Sequence, residues 1–242
     1  MEILNCKVNK VSMQSALDFI ARAIQQPGDC CKQIITLNAE GIYIAQKDAV
    51  FRAIINNAAL VTADGIGVLW AAKKLGSPLP ERVTGIDLLQ EACRLAADQG
   101  WRIYLLGAAK GIVDQAAVKF QASYPGLQIV GTHHGYFRGQ EAAIIKKINQ
   151  AQPNLLLVAM GMPFQEKFIS SHLAELNAAV AIGVGGSFDV IAGNIKRAPR
   201  LMQRLGLEWF WRLLLQPSRL PRILVLPKFM WLVSKQARLE KT

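Results

Sequence analysis

The 242-residue chain contains no Asp-x-Asp motif and only three histidines. Enzymes that hold a divalent ion against substrate phosphates usually bind it through one or two carboxylates, so the missing motif disfavours such an ion without excluding it. His133 and His134 are adjacent and are expected to point to opposite faces of a strand, while His172 is isolated. We therefore expect no metal site and no metal cofactor.

Cysteine is scarce, and long apolar runs are missing. The four cysteines form no CxxC pair and no framework of the kind that staples small secreted domains, which indicates reduced thiols in the cytoplasm. The first ten residues have no apolar stretch behind their charges, so we expect no signal peptide. The longest candidate for a membrane span, 223–233, is short and contains Pro227 and Lys228. The sequence predicts a chain that does not cross a membrane.

Acidic residues are few, 17 against 28 lysines and arginines, and the imbalance is concentrated at one end of the chain. Residues 196–242 hold 11 of the basic residues and 2 of the acids, so they carry +9 of the net charge of +11. The same segment has an amphipathic helical pattern, which Pro217, Pro221 and Pro227 interrupt. We interpret residues 196–242 as a helical appendage to a body formed by residues 1–195.

Three roles fit this appendage. Tryptophans interleaved with arginines are typical of a protein that rests on an anionic bilayer surface. The alternatives are a terminal helix that packs on the core with its charges in water, and a nucleic-acid-binding segment, although no recognised nucleic-acid motif accompanies the charge. We favour the membrane surface and expect no nucleic-acid partner. Exposed Leu and Trp side chains would also favour homo-oligomers.

The body alternates short apolar, β-rich runs with segments of helix length. At 52% hydrophobic and 19% charged residues, the composition is that of a globular protein. The alternation predicts βαβ units and an α/β, Rossmann-like fold with a largely parallel sheet flanked by helices. The predicted strands are 32–37, 58–63, 101–107, 127–132, 154–161 and 178–186, and the predicted helices include 41–57 and 111–124.

Small or polar loops follow these strands and should converge on one site, because ligands of open parallel sheets bind at the carboxyl ends of the strands. A single Gly-x-Gly is weak evidence for a phosphate site. Three glycine loops after three strands together favour a phosphorylated or nucleotide ligand, since oriented N–H groups attract anions. The expected substrate-binding residues in these loops are Gly65, Gly107, Gly161, Gly185, Gly186 and Asp189.

Asp64 lies at the end of an apolar strand, between that strand and Gly65. Burial there would raise the pKa of its carboxyl group and suit it to act as a general base. The alternative is that Asp64 caps the helix that begins near Gly65, which is a common role for aspartate. The stretch alone leaves both roles open and gives more weight to the cap.

Arg82 lies just before a helix that Thr84 is predicted to cap, with Asp87 three residues further on. From this position its guanidinium could reach a diphosphate at the site. A solvated surface arginine is an equally good interpretation of the residue on its own.

Several blocks of the sequence, taken together and in order, resemble the WecG/TagA/CpsF glycosyltransferase family, and most closely its N-acetylmannosaminyltransferase branch of wall teichoic acid assembly. The resemblance covers nearly the whole chain. The blocks are TLNAEG, TADGIGVLWAAKKLGSPLPERVTGIDLL, YLLGAAKG, YPGLQIVGTHHGYF, LLLVAMGMPFQEKFI and AIGVGGSFDVIAGNIKRAPRLMQRLGLEWFWRLLLQPSR.

The resemblance implies an inverting, metal-independent transfer of N-acetylmannosamine from UDP-N-acetylmannosamine to the 4-hydroxyl of GlcNAc-diphospho-undecaprenol, with no cofactor. It also implies a cytoplasmic enzyme that is peripheral on the inner face of the cell membrane. By resemblance, Asp64 is the catalytic base, Arg82 steadies the diphosphate leaving group, and Gln165 belongs to the pocket. Thr36 and Asn38 line the pocket near Asp64. The resemblance places Arg212, Arg219 and Arg222 on the membrane-docking part that completes the active site.

The sequence departs from the family pattern at two places beside the pocket. Many members have a proline before the asparagine, where this chain has Leu37, and an alanine-proline-lysine run before the glutamine, where it has 162–164, Met-Pro-Phe. Relatives use UDP-N-acetylmannosaminuronate or UDP-glucose, so another UDP-sugar is the first alternative. A non-catalytic module that binds a nucleotide sugar and the membrane is the second.

Overall fold

A parallel sheet forms the centre of the structure, a computed structural model in which residues 1–240 are described. Its six strands lie in the order β4-β3-β8-β7-β5-β6, and a short antiparallel pair, β1 with β2, lies apart from it. The strands are β1 (Glu2–Ile3), β2 (Cys6–Lys7), β3 (Lys32–Leu37), β4 (Leu60–Ala63), β5 (Arg102–Gly107), β6 (Gln128–His133), β7 (Leu155–Ala159) and β8 (Val180–Gly183).

Helices cover both faces of the sheet. One face packs against a core that includes side chains of α1, α5, α6 and α9, and the other against two clusters that include side chains of α2, α3, α4, α7, α8 and α13. The helices are α1 (Met13–Gln25), α2 (Ala39–Ala45), α3 (Ala49–Asn57), α4 (Ile66–Lys74), α5 (Gly85–Gln99), α6 (Ile112–Ser123), α7 (Glu141–Gln150), α8 (Phe164–Ser171), α9 (Ser187–Ala192), α10 (Arg200–Arg204), α11 (Glu208–Leu215), α12 (Leu220–Ile223) and α13 (Val225–Leu239).

The α/β, Rossmann-like prediction is confirmed, because strands with two buried faces read as continuous apolar runs between helices. Neighbouring residues of one strand enter opposite cores: Ile34 belongs to one and Ile35 to the other. The helix predicted over 41–57 is wrong as one element. The chain instead forms α2 and α3, since Asp48 begins a new helix by accepting a hydrogen bond from Phe51 N at 2.9 Å.

The two adjacent histidines do not lie on opposite faces of a strand. His133 is the last residue of β6 and His134 follows it, and their ring centroids are only 4.4 Å apart. His133 Nδ1 is 2.8 Å from the carbonyl oxygen of His134. The alternation of side chains ends with the strand, so the second ring can turn back beside the first.

The basic appendage folds as helices α10 to α13, and its Lys241 and Thr242 lie outside the described residues. None of the helices within 1–240 combines the length and apolarity needed to cross a bilayer. Helix α13 packs on α2 and α4 and inserts Phe229 and Val233, both fully buried, into the core. Gln236 accepts a hydrogen bond from Leu4 N at 2.9 Å. Contacts of α13 therefore cross the predicted boundary at residue 195.

We expect Phe229→Ala to loosen α13, because truncating a buried aromatic side chain costs about 3–5 kcal/mol. Amide hydrogen exchange should rise across 225–239 before it rises in the central strands. The matched control is Met230→Ala, since Met230 is the next residue and is 46% exposed. Equal exchange in α13 for the two variants would contradict the packing of Phe229 in the core.

Candidate active site

Asp64 and Thr36 meet at the carboxyl ends of neighbouring strands. Strands β3 and β4 pair in parallel, and Asp64 N donates a hydrogen bond to Leu37 O at 2.8 Å. Gly85 N, the first amide of α5, donates to Asp64 Oδ2 at 3.1 Å. A Cβ atom at Gly85 would lie 2.9 Å from Thr36 Oγ1 and 3.5 Å from Asp64 Oδ2. The three residues are therefore packed against one another, without room for a larger side chain at Gly85.

Asp64 does not cap the helix that follows it. Gly65 occupies the cap position of α4 with a φ of 103°, and no side chain accepts a hydrogen bond there. Such a φ favours glycine, and it turns the chain so that Asp64 faces α5 instead. Burial raises the pKa of Asp64, while the hydrogen bond from Gly85 and the charges of Arg212 and Arg82 oppose that effect. A carboxylate whose pKa is raised is suited to accept a proton.

Thr36 is buried and already has a hydrogen-bond partner. Its Oγ1 donates to Gly183 O at 3.0 Å, which joins the carboxyl ends of β3 and β8. Asn38 likewise uses its Oδ1 to accept from Gly41 N at 2.8 Å, so that it caps α2. Thr36 packs beside Asp64 at Gly85, and the side chains of both Thr36 and Asn38 fix the local backbone.

Arg82 is paired with an acid from the appendage. Its Nη1 lies 3.1 Å from Glu208 Oε2, and its side chain is 20% exposed, so it is not a solvated surface arginine. Glu208 also lies 3.5 Å from Arg197 Nε. Arg197 in turn binds Asp87 and donates to Gln90 Oε1 at 3.2 Å. These ion pairs hold the start of α11 against the start of α5, at the rim of the site.

Arg197 and Glu208 are functional candidates that the sequence reasoning missed. Glu208 is one of only 2 acids in residues 196–242, which is the signal that could have singled it out. Thr84 caps α5 as predicted, accepting from Asp87 N at 3.2 Å. The cap also orients Asp87 towards Arg197, because Thr84 Oγ1 donates to the other carboxylate oxygen at 2.6 Å.

The appendage brings three arginines to the same region, and we call Arg212, Arg219 and Arg222 the arginine cluster. Burial and the charges of the other two arginines lower the pKa of Arg219, and Glu40 and Asp189 oppose this. Arg222 Nε lies 3.6 Å from Glu40 Oε1. Three cations so close repel one another, and a bound anion would relieve the repulsion. The cluster is therefore suited to a phosphate group.

Gln165 ties together two of the predicted glycine loops. Its Oε1 accepts from Gly161 N at 3.1 Å and from Gly185 N at 3.0 Å, which joins the loops after β7 and β8. Its Nε2 donates to Glu166 Oε1 at 2.7 Å. Both lone pairs of the amide oxygen are thus occupied by hydrogen bonds to the protein. We therefore expect Gln165 to shape the pocket through these loops.

Glu166 was not identified from the sequence. It is fully buried, burial raises its pKa to about 7, and its Oε2 has no hydrogen-bond partner among the described residues. Gln33 Nε2 donates to its backbone carbonyl at 3.0 Å. Glu166 lies in α8, whose sequence is that of an ordinary helix, so nothing in the local sequence indicates that this carboxyl group is buried.

The remaining predicted residues, Gly107, Gly186 and Asp189, lie at the carboxyl end of a strand or in the helix start that follows one. Gly107 ends β5, and a Cβ there would lie 2.3 Å from the carbonyl oxygen of Ala159, so close approach of β5 to β7 already requires glycine. Gly186 precedes α9, and Asp189 lies in its first turn. Within residues 1–240 no group of three or more His, Cys, Asp or Glu side chains is arranged to hold a metal ion.

Comparison with known proteins shows similarity to one family of glycosyltransferases. The model of the "Glycosyl transferase WecG/TagA/CpsF family" matches residues 1–242. A Bacillus subtilis protein is 38% identical over 209 residues, covering 86% of this chain and 81% of that protein. A Staphylococcus aureus protein is 35% identical over 205 residues, covering 85% and 80%. Both are named N-acetylglucosaminyldiphosphoundecaprenol N-acetyl-beta-D-mannosaminyltransferase.

Glu166 should make stability depend on pH. In the unfolded chain its carboxyl ionises near its ordinary pKa of about 4.3, and in the folded protein near 7. Between these values the unfolded state binds fewer protons, so the free energy of unfolding falls as the pH rises. Glu166→Gln removes this effect and should stabilise the protein at pH 8 by up to about 3 kcal/mol, with no comparable gain at pH 4.5.

Thermal unfolding of both proteins at the two pH values measures the difference. Glu2→Gln, on the surface, controls for a general effect of removing one acid. A gain for Glu166→Gln that is the same at pH 4.5 and pH 8 would show that ionisation of Glu166 is not its source.

Proposed function

The chain belongs to the WecG/TagA/CpsF glycosyltransferase family, and we propose that it transfers N-acetylmannosamine from UDP-N-acetylmannosamine to the 4-hydroxyl of GlcNAc-diphospho-undecaprenol. The names of its relatives supply the acceptor and the transferred sugar. The product is the β-1,4-linked disaccharide lipid from which the linkage unit of wall teichoic acid is built. One observation carries the proposal for the site: the half-buried carboxylate of Asp64 lies within the field of Arg82 and Arg212.

Asp64 is the proposed general base. A sugar hydroxyl is a poor nucleophile at neutral pH, so its proton must be removed as its oxygen attacks the anomeric carbon of the donor. Asp64 takes that proton, and the bond between the anomeric carbon and the diphosphate oxygen breaks as the new glycosidic bond forms. A single displacement of this kind inverts the configuration at the anomeric carbon.

Arginines are proposed to stabilise the two diphosphates of the reaction. Arg82, once released from Glu208, can pair with the departing UDP, where negative charge grows in the transition state. The mutual repulsion of Arg212, Arg219 and Arg222 supports a role for the arginine cluster in holding the diphosphate of the acceptor lipid. Backbone amides of the glycine loops that Gln165 joins offer further hydrogen bonds to the donor.

The appendage is proposed to rest on the inner face of the cell membrane, where the lipid acceptor lies. Several large apolar side chains of residues 196–240 are exposed, and they interleave with basic residues. The exposed side chains are Leu201, Leu205, Trp209, Phe210, Leu214, Leu215, Leu220, Leu224, Met230, Trp231 and Leu239. Insertion of these side chains at the level of the headgroups would bring the arginine cluster to the acceptor.

Two alternatives to the proposed transfer can be distinguished by experiment. A relative of the same family that uses UDP-N-acetylmannosaminuronate or UDP-glucose would show the same site with a different donor preference. A non-catalytic module would bind UDP-sugars and membranes without turnover. UDP release, measured with several UDP-sugars and a GlcNAc-diphospho-lipid of short chain, separates all three.

Asp64→Asn tests the base. The asparagine carbonyl can still accept the hydrogen bond from Gly85, but the amide cannot take a proton, so transfer should fall by about 10²-fold or more. UDP binding, measured by calorimetry, should be kept. Wild-type activity should fall as the pH falls through the raised pKa of Asp64, and the residual activity of the variant should lack this limb.

The matched control for Asp64→Asn is Asp98→Asn, which removes a carboxylate that is 60% exposed on α5. This variant should retain full transfer activity. Unchanged turnover in Asp64→Asn would refute the assignment of the base.

Membrane binding should depend on the basic appendage. Arg200 and Arg204 are exposed on α10, beside exposed leucines. A basic residue near an anionic surface contributes about 1 kcal/mol, so each replacement by Gln should weaken binding to anionic vesicles about fivefold, with less effect at high salt. Lys119→Gln with Lys146→Gln, on the body, is the matched control in vesicle sedimentation. The double variant Arg200→Gln with Arg204→Gln should lose more vesicle binding than this control. Equal losses in the two double variants would contradict docking through the appendage.

A further inference from the structure

An open groove of about 380 Å³ lies between α2 and α13. Tyr43 of α2 forms one wall, and Pro227, Lys228, Trp231 and Leu232 of α13 form the other. The volume falls within the range of about 300–1,000 Å³ that small-molecule sites occupy. The reaction site described above uses none of these residues.

The groove is related to the arginine cluster through Glu40 and Arg222. On α2, Tyr43 lies three residues after Glu40 and so on the same side of the helix. Glu40 Oε1 lies 3.6 Å from Arg222 Nε. Pro227 lies five residues beyond Arg222, in the first turn of α13. At the other end of the cluster, the charge of Arg212 acts on Asp64. A diphosphate held by the cluster would therefore have the groove on the side of Arg222 and Asp64 on the side of Arg212.

The lining of the groove suits an apolar chain below a charged rim. Trp231 is 64% exposed, so its indole ring is available to contact a ligand in the groove. Lys47 Nζ lies 5.2 Å from the centre of the Tyr43 ring, and Lys235 Nζ lies 5.8 Å from that of Trp231. The aromatic rings are thus presented between cations, as at the boundary between headgroups and hydrocarbon.

We propose that this groove binds the first isoprene units of the acceptor's polyprenyl chain. The inference rests on the proposed function and adds a subsite to it. A chain held there leaves the diphosphate at the arginine cluster and directs the attached sugar towards Asp64. The prenyl chain and the sugar then extend from the diphosphate in opposite directions. The part of the acceptor that lies in the membrane therefore stays away from the donor.

The experiment compares two acceptors in steady-state kinetics of the full chain. One is GlcNAc-diphosphate carrying about three isoprene units, and the other carries only a methyl group. Trp231→Ala and Tyr43→Ala, one from each wall, should each raise the KM of the prenylated acceptor about tenfold, with kcat kept. Neither variant should change the kinetics with the methyl acceptor, and that activity also shows that each variant is folded.

Val118→Ala is the matched control, because Val118 is an apolar side chain that is 65% exposed on α6, outside the appendage. It should leave the KM of both acceptors unchanged. An equal rise in KM for both acceptors in Trp231→Ala would overturn the subsite. Unchanged kinetics together with weaker binding to acceptor-free vesicles would also overturn it, and would identify a phospholipid chain as the occupant.

A second measurement separates this inference from the proposed function. A short polyprenyl diphosphate without a sugar should change the tryptophan fluorescence of the wild-type chain, and inorganic diphosphate should not. The change should be lost in Trp231→Ala and kept in Trp209→Ala. Failure of transfer with every UDP-sugar would refute the proposed function, whereas failure of this fluorescence change would refute the subsite alone.

Discussion

The hydrogen bond from Gly85 N to Asp64 Oδ2, 3.1 Å long, is the contact on which the site depends. It joins the end of β4 to the start of α5, two elements separated by 21 residues. It directs the carboxylate of Asp64 away from α4. The segment between the two bonded residues contains Arg82, three residues before Gly85. Burial of Asp64 without this bond would raise its pKa further, since the bond stabilises the charged form. The geometry thus keeps Asp64 available as a base.

In the structure, acidic side chains pair with the arginines that we propose bind the substrate diphosphates. Glu208 neutralises Arg82 and Arg197, and Glu40 lies beside Arg222. A diphosphate that binds these arginines exchanges one anionic partner for another, so its affinity reflects the difference between the two. The exchange also links binding to movement of the appendage, because Glu208 is the residue through which α11 is held to the rim.

The sequence predicted the parts of the fold that leave local patterns. Continuous apolar runs gave the central strands, and the Thr84 cap followed from the spacing to Asp87. The break between α2 and α3 was missed because 41–57 keeps one apolar period across Asp48, whose capping role depends on geometry. Within the candidate site, the ion pair of Arg82 with Glu208 joins residues 126 positions apart, and the burial of Glu166 comes from packing on β8. Neither has a local signature.

The appendage differs from the body in composition, yet its last helix is part of the core. One side of α13 buries Phe229 and Val233 against α2 and α4, while the adjacent side presents Trp231 to the groove. Asn38, the cap residue of helix α2, directly follows the strand that carries Thr36. A displacement of α13 by a membrane or a lipid chain would therefore be transmitted through α2 to the end of β3, within one helical turn of the residues that pack beside Asp64. If the appendage docks on a membrane, as we propose, the packing of α13 on α2 would connect that contact to Asp64, the proposed base.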